Sequence, residues 1–138
     1  MKELLLFGFE NTEGRTQAAA LRTFCQPLGI SVRVIPNTDY LQPLGSLLLT
    51  PPLSFASSQQ LPPELFGEYH GPELSSRLLL LSGLDENDMD QLFPALPGFG
   101  ITRDDLKAML TDTNMHWNAV GLHHELSAEH EAVSKNRG

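Results

Sequence analysis

The chain has 138 residues, enough for one domain with a buried core, and its formal net charge is -8. This excess of acid disfavours binding to nucleic acid or to an anionic membrane surface. The single cysteine, Cys25, excludes an internal disulfide and a multi-cysteine metal site. No apolar run approaches the roughly 20 residues that span a bilayer. We therefore expect a cytoplasmic protein.

The first half, residues 1–49, begins with a strand. Residues 4–7 are apolar on both faces, which is typical of a strand buried in the middle of a sheet. Asn11 or Thr12 is the expected N-cap of the helix that follows. Cys25 is expected beside the buried stripe of this helix, which the three-and-four spacing assigns to Ala20, Leu21, Phe24 and Leu28.

Residues 30–35 alternate as a strand with one wetter face, and an exposed Arg33 favours the edge of a sheet. A turn over residues 36–39 and a short helix within 40–49 complete the first half. Residues 50–76 form a Pro/Ser-rich connecting segment with PPII tendency. Its apolar side chains predict that part of it packs against the body, with a helical turn near residues 63–69.

The second half, residues 77–138, begins with another apolar strand at 78–81. Asp85 is the expected N-cap of the next helix, and Leu84 and Met89 are spaced as a hydrophobic staple. Pro94 should shorten or kink this helix. Its predicted buried stripe consists of Met89, Leu92, Phe93 and Leu96.

Residues 105–110 form the second strand of this half, with Lys107 facing outward. A turn at 111–114 leads to a last helix, for which Asn118 is the expected N-cap. The predicted buried face of this helix carries Ala119, Leu122, Leu126 and Val133.

Each half thus runs strand, helix, strand, turn, helix, which suggests an internal repeat within a single domain, 1–138. The pattern predicts an α+β fold, a ferredoxin-like plait of two split βαβ halves related by a pseudo-twofold axis, with an added C-terminal helix. The alternative is a doubly wound parallel α/β sheet. The first strand of each half is the more apolar one and suits a central position in the plait, whereas the second strand is more polar and suits an edge. This difference favours the plait.

Five histidines raise the question of a metal site: His70, His116, His123, His124 and His130. Residues seven apart on a helix are separated by about 10 Å along its axis, so one ion cannot bridge 116, 123 and 130. The order HExxH is absent, and so are GxGxxG and the P-loop. We predict no catalytic residue, no metal and no cofactor.

The densest group of recognition-capable side chains lies before the last helix: Thr113, Asn114, His116, Trp117 and Asn118. Turn capping and a hydrophobic staple would explain these residues structurally. Their functional interpretation is a small polar pocket or an aromatic anchor for a partner.

Several features of residues 77–133 carry a family resemblance: the opening Gly-Leu-Asp-Glu after the strand, the turn Lys-Ala-Met-Leu-Thr-Asp-Thr-Asn, Trp117, and the ending Glu-Leu…Glu-His. This segment resembles a bacterial family known as domain of unknown function 3783 (DUF3783). The resemblance implies no activity. The first half departs from the pattern, with Tyr40 or Leu41 near the position of the tryptophan.

Three functional hypotheses follow. The first is a non-enzymatic binding or regulatory module that contacts a protein partner or a small ligand near Thr113–His124. The alternative is a small metal-dependent hydrolase that uses His116, His123 or His124 with Asp112 or Asp105. The third is a homo-oligomer formed through a strand edge or the apolar part of the connecting segment, residues 53–66.

Overall fold

A computed structural model of the chain describes residues 1–56, 62 and 65–137, with 130–137 through their backbone only. One four-stranded sheet has the order β2-β1-β3-β4. Strand β1 pairs in parallel with β2 and antiparallel with β3, and β3 pairs in parallel with β4. The bounds are β1 Lys2–Phe7, β2 Ile30–Val34, β3 Leu78–Ser82 and β4 Leu106–Met109.

The two apolar strands lie side by side at the centre of the sheet. Leu5 of β1 is the register partner of Leu80 of β3, and both side chains are 0% exposed. The wetter strands β2 and β4 form the edges, as their alternation predicts. Exchanging β1 with β3 and β2 with β4 leaves the strand order and the pairing directions unchanged. The two halves are therefore related as by a twofold axis between β1 and β3. The origin of this similarity in an internal repeat stays a prediction.

The structure confirms a mixed α+β fold but does not confirm the ferredoxin-like plait. In that plait the second strand of each half pairs with the first strand of the other half. Here β2 pairs with β1 and β4 with β3, so each half is an unsplit βαβ unit. The doubly wound alternative requires an all-parallel sheet, and the antiparallel β1–β3 pair makes this sheet mixed.

Capping residues begin the three longer helices where the sequence predicts. Asn11 accepts a hydrogen bond from the Gly14 N–H at 2.7 Å, and Asn118 accepts one from the Gly121 N–H at 2.8 Å. Asp85 and Asp88 form a reciprocal capping box. The helices are α1 Thr12–Cys25, α2 Leu53–Ala56, α3 Glu86–Leu92 and α4 Ala119–Arg137.

Proline ends α3 as expected, because a 3-10 helix over Phe93–Phe99 replaces the α-helix at Pro94. Two helix faces differ from the predicted ones. Cys25 is 0% exposed and lies in the buried stripe of α1, whereas Ala20 is exposed. Phe93 is 40% exposed because the tighter 3-10 turn rotates it away from the core.

Side chains cover both faces of the sheet. Helices α1 and α3 pack on one face, against alternate leucines of the central strands. The other face is covered by the segment after β2, by the start of α4 and by part of the connecting segment. The cluster on this second face includes Phe7, Tyr40, Leu44, Leu80, Ala119 and Leu122.

Short 3-10 turns at Asn37–Asp39 and Leu44–Leu47 replace the predicted short helix within residues 40–49. They tie the two halves together through the main chain. The Ala119 N–H donates to the Tyr40 carbonyl at 3.1 Å, and the Leu44 N–H donates to the Trp117 carbonyl at 2.8 Å. Tyr40 and Trp117 therefore occupy related places in the two halves.

Part of the connecting segment packs against the body, as predicted. Phe55 of α2 is 2% exposed and its ring fills the space beside Gly45, where a Cβ would lie 2.7 Å from the ring. The Tyr69 N–H donates to the Thr38 carbonyl at 3.1 Å. The predicted helical turn near 63–69 lies partly outside the described residues.

Side chains occupy outward carbonyls on both edge strands. Arg22 Nε donates to the Val32 carbonyl of β2 at 3.1 Å. Asn114 Nδ2 donates to the Met109 carbonyl of β4 at 2.9 Å. These carbonyls are not available to an added strand, which protects the edges against strand pairing. In the described part of the chain, no helix is long and apolar enough to cross a membrane.

Candidate functional site

A cleft of about 310 Å³ opens at the carboxyl end of β1. Gly8 and Asn11 line it after β1, and Asn37 and Tyr40 line it after β2. The opposite wall comes from residues 69–74 of the connecting segment. This volume lies at the small end of the range of small-molecule sites, which begins at about 300 Å³.

The topology places the cleft. Strands β1 and β2 are parallel neighbours, so their carboxyl ends open at the same edge of the sheet, where α/β folds commonly bind ligands. Gly8 turns the chain away from β1 with a φ of 88°, a left-handed conformation that favours glycine. The chain then reaches Asn11 and the start of α1 at the rim of the cleft.

Two stacked tyrosines form the aromatic wall. The rings of Tyr40 and Tyr69 have centroids 5.7 Å apart and an interplanar angle of 28°. The Tyr40 hydroxyl accepts a hydrogen bond from the Gly8 N–H at 2.7 Å. The Tyr69 O–H donates to the Pro72 carbonyl at 2.6 Å. Because both hydroxyls are held by the main chain, the wall is fixed before any ligand arrives.

Two carboxylates give the cleft its charge. Glu10 and Glu73 line it, and no described residue of its lining is basic. Burial, opposed by the Gly8 hydrogen bond, raises the pKa of Tyr40 to about 12, and the negative charges of Glu10 and Glu73 add to this rise. Both carboxylates therefore act on the same hydroxyl, and the cleft carries a negative potential.

Residues 69–76, here called the strap, are fastened over the cleft at both ends. At the first end, Tyr69 stacks on Tyr40 and bonds the Thr38 carbonyl. At the second end, the Ser76 N–H donates to His123 Nε2 at 3.3 Å. An accepting Nε2 requires the neutral imidazole with its proton on Nδ1.

Acid should weaken the attachment of the strap. Burial, with the adjacent His124 charge, lowers the pKa of His123 below 6.5. Because the folded-state pKa is depressed, the stability from neutral His123 is fully present above pH 6.5 and is lost as pH falls through the folded-state value. We expect urea unfolding to show this loss in the wild type and to lose that part of the pH dependence in His123→Gln. His70→Gln, at an exposed histidine, should retain it.

The five residues predicted as a binding group lie together around the turn Asn114–His116. Two of their side chains form hydrogen bonds to the main chain. Asn114 is buried, and its side chain accepts from the Thr111 N–H at 2.8 Å and donates to the Met109 carbonyl. Asn118 caps α4. Thr113, His116 and Trp117 remain exposed. A contact with a partner or ligand at these three stays a prediction.

Replacing Trp117 with alanine should leave the protein folded. The indole is 38% exposed, and the Trp117 carbonyl and N–H supply the contacts to Leu44 and Asn114. We expect a loss of about 1–2 kcal/mol of unfolding free energy from the apolar area removed. Urea unfolding measures this loss, and global unfolding of Trp117→Ala would show that the indole is essential to the core.

The histidines proposed for a metal-dependent hydrolase do not converge. His116 packs its ring against Phe55, with centroids 5.4 Å apart, while His123 contacts the strap. His124 is exposed, and the side chain of His130 lies outside the described residues. Among the described side chains, no three His, Cys, Asp or Glu residues come close enough to hold a metal ion. The geometry therefore offers the hydrolase no support.

Asp105, the carboxylate proposed to assist such a hydrolase, is bound by Arg77. Two guanidinium nitrogens donate to its two oxygens at 3.0 and 2.8 Å. Burial alone would raise the pKa of Asp105, but the hydrogen bonds from Arg77 and the Thr102 N–H hold it below its ordinary value. The guanidinium also lies 4.4 Å from the centre of the Phe9 ring, in the cluster on the α1 face. Asp105 thus neutralises the charge of Arg77 on the α1 face of the sheet, whereas Tyr40 lies on the other face.

Comparison with known proteins finds a family match in the second half of the chain. The family model described as "Domain of unknown function (DUF3783)" matches residues 77–133. Residues 77–133 belong to the DUF3783 family. The DUF3783 segment contains β3, α3, β4 and most of α4. No curated protein and no solved structure matches the chain.

The cleft lies outside the DUF3783 segment, because its lining residues fall between Gly8 and Leu74. Sequence reasoning missed Glu10, Tyr40, Tyr69 and Glu73 as site residues. One signal was present, since Tyr40 stands near the place in the first half that Trp117 occupies in the second. The approach of the strap to β1 is a long-range contact that no local pattern reveals.

Proposed function

We propose that this protein is a non-enzymatic binding module that takes a small ligand in the cleft at the carboxyl end of β1. The observation that supports this proposal is the preformed wall: Tyr40 and Tyr69 are stacked and hydrogen-bonded in place beside about 310 Å³ of open space. A site that is already ordered loses little conformational entropy when a ligand binds.

The cleft supports this function better than the exposed surface around Trp117. It is concave, and aromatic side chains and a few polar groups converge on it. These features are usual in small-molecule sites. The side chains left exposed around Trp117 are fewer, because Asn114 and Asn118 are bonded to the backbone. Both locations agree with a binding module, and they predict different residues at the ligand.

A fragment screen by NMR tests the proposal. Fragments that bind the wild-type protein should shift the amide signals of Gly8 and Tyr69, which report the cleft without any mutation. Asn37→Trp, at an exposed residue of the lining, should fill the cleft and abolish these shifts. Asn87→Trp makes the same change at an exposed position on α3 and should retain them.

Two results would contradict the proposal. One is a broad fragment set that produces no shift at Gly8 or Tyr69 in the wild type. The other is a set of fragments that binds only around Trp117 and is unaffected by Asn37→Trp in a folded variant.

A further inference from the structure

We infer that the ligand of the cleft is a small primary ammonium compound. This inference rests on the proposed function and adds the chemical class of the ligand. It starts from the charge of the cleft, whose described lining holds two carboxylates and no basic residue.

Two main-chain donors near the cleft are already used. The Gly8 N–H, at the end of β1, donates to the Tyr40 hydroxyl. The Gly14 N–H, at the start of α1, donates to the side chain of Asn11. To use either of these two N–H groups, a phosphate or carboxylate ligand would have to displace its internal bond.

The tyrosine hydroxyls are also committed. The Tyr69 proton is donated to the Pro72 carbonyl, so this hydroxyl can offer a ligand only an acceptor. The Tyr40 hydroxyl accepts from the Gly8 N–H, and the negative charge of Glu10 acts on it. The charged groups of the described lining are the carboxylates of Glu10 and Glu73, which are acceptors.

The charge of the cleft lining favours a cation. The start of α1 contributes about half a positive charge, while Glu10 and Glu73 contribute two full negative charges. Two arginines lie near the cleft but outside its lining: the guanidinium of Arg77 is paired with Asp105, and Arg15 donates its Nε–H to the Glu10 carbonyl at 2.8 Å. A ligand ammonium would supply both the missing positive charge and three N–H donors for these acceptors.

Size limits the ligand to a short molecule. A cleft of about 310 Å³ has room for a compact amine and no room for a long polyamine chain. The ring of Tyr69 lines the cleft, and aromatic rings attract nearby cations. Together these features predict an ammonium group beside the carboxylates and a short apolar part against the tyrosines.

A charge series of one length tests this inference. Butylammonium, 1-butanol and butanoate differ mainly in charge, and each is titrated into the isotope-labelled full chain. We expect butylammonium to shift the amides of Gly8 and Tyr69 with a dissociation constant about tenfold or more below those of the other two. Because this comparison uses the wild type, it does not depend on the folding of any variant.

Variants then assign the charge. Glu10→Gln and Glu73→Gln keep the shape and remove one charge each, so each should weaken butylammonium binding by about tenfold. Glu86→Gln removes an exposed charge on α3 and should leave the affinity unchanged. Equal binding of butylammonium to the wild type and to Glu10→Gln and Glu73→Gln would overturn the inference.

The outcomes separate this inference from the proposed function. If 1-butanol or butanoate binds the cleft as well as butylammonium, the ammonium assignment is wrong and the binding module stands. The same holds if none of the three binds while other fragments shift Gly8 and Tyr69. If no compound of any charge shifts these amides, both the inference and the proposed function are wrong.

Discussion

Replacing Leu80 with alanine should lower the free energy of unfolding by about 3–5 kcal/mol. Leu80 is 0% exposed in the middle of β3, opposite Leu5 of β1, and belongs to the cluster that also contains Phe7 and Tyr40. Truncation removes apolar contacts and leaves a cavity that the central sheet cannot close. Urea unfolding should show a lower midpoint with an unchanged slope.

The control is the same substitution at Leu53, which is 84% exposed. Leu53→Ala should change the free energy of unfolding by about 0.5 kcal/mol or less. Equal effects of the two substitutions would contradict the central position of β3.

Replacing Gly14 with alanine should also destabilise the protein strongly, by about 3 kcal/mol through overpacking. A Cβ at this position would lie 2.6 Å from the Cα and carbonyl oxygen of Phe9. These are backbone atoms at the entry to α1, so no rotation of a side chain relieves the contact. The clash outweighs the gain in helix propensity, which is about 1 kcal/mol in favour of alanine.

Thermal unfolding compares Gly14→Ala with Gly98→Ala, a glycine with no atom within 4 Å of an added Cβ and no left-handed backbone. We expect Gly98→Ala to unfold within a few degrees of the wild type. A Gly14→Ala protein as stable as Gly98→Ala would mean that α1 does not pack this closely on Phe9.

Local patterns predicted the elements of this fold and their caps. The apolar runs at 4–7 and 78–81 indicated the central strands because each is oily on both faces, and both faces are covered. A short polar side chain before each apolar stripe predicts caps at Asn11 or Thr12, at Asp85 and at Asn118, and the structure has Asn11, Asp85 and Asn118 as the caps. Such signals depend only on neighbours in sequence.

The pairing of the edge strands could not be predicted in the same way. A plait and the observed sheet both place the two more apolar strands at the centre and the two more polar strands at the edges. The period of a strand shows which face is buried and not which strand is its neighbour. The choice depends on how α1 and α3 pack over the sheet, a long-range property of the whole chain.

The cleft was unpredictable for a related reason. Tyr40 and Tyr69 are separated by most of the connecting segment, and their stacking depends on the strap crossing the carboxyl end of β1. The sequence favoured a site at Trp117 because polar side chains are dense around it. The structure explains part of that density by the turn around Asn114 and the cap at Asn118.

The most direct test of the central claim, that the cleft binds a small ammonium compound, is the position of bound butylammonium. Intermolecular nuclear Overhauser effects between butylammonium and the isotope-labelled protein would report that position. We expect contacts from the butyl protons to the ring of Tyr69 and from the methylene beside nitrogen to the side chain of Glu73. Contacts with Trp117 and His116, and none with Tyr69, would contradict the claim.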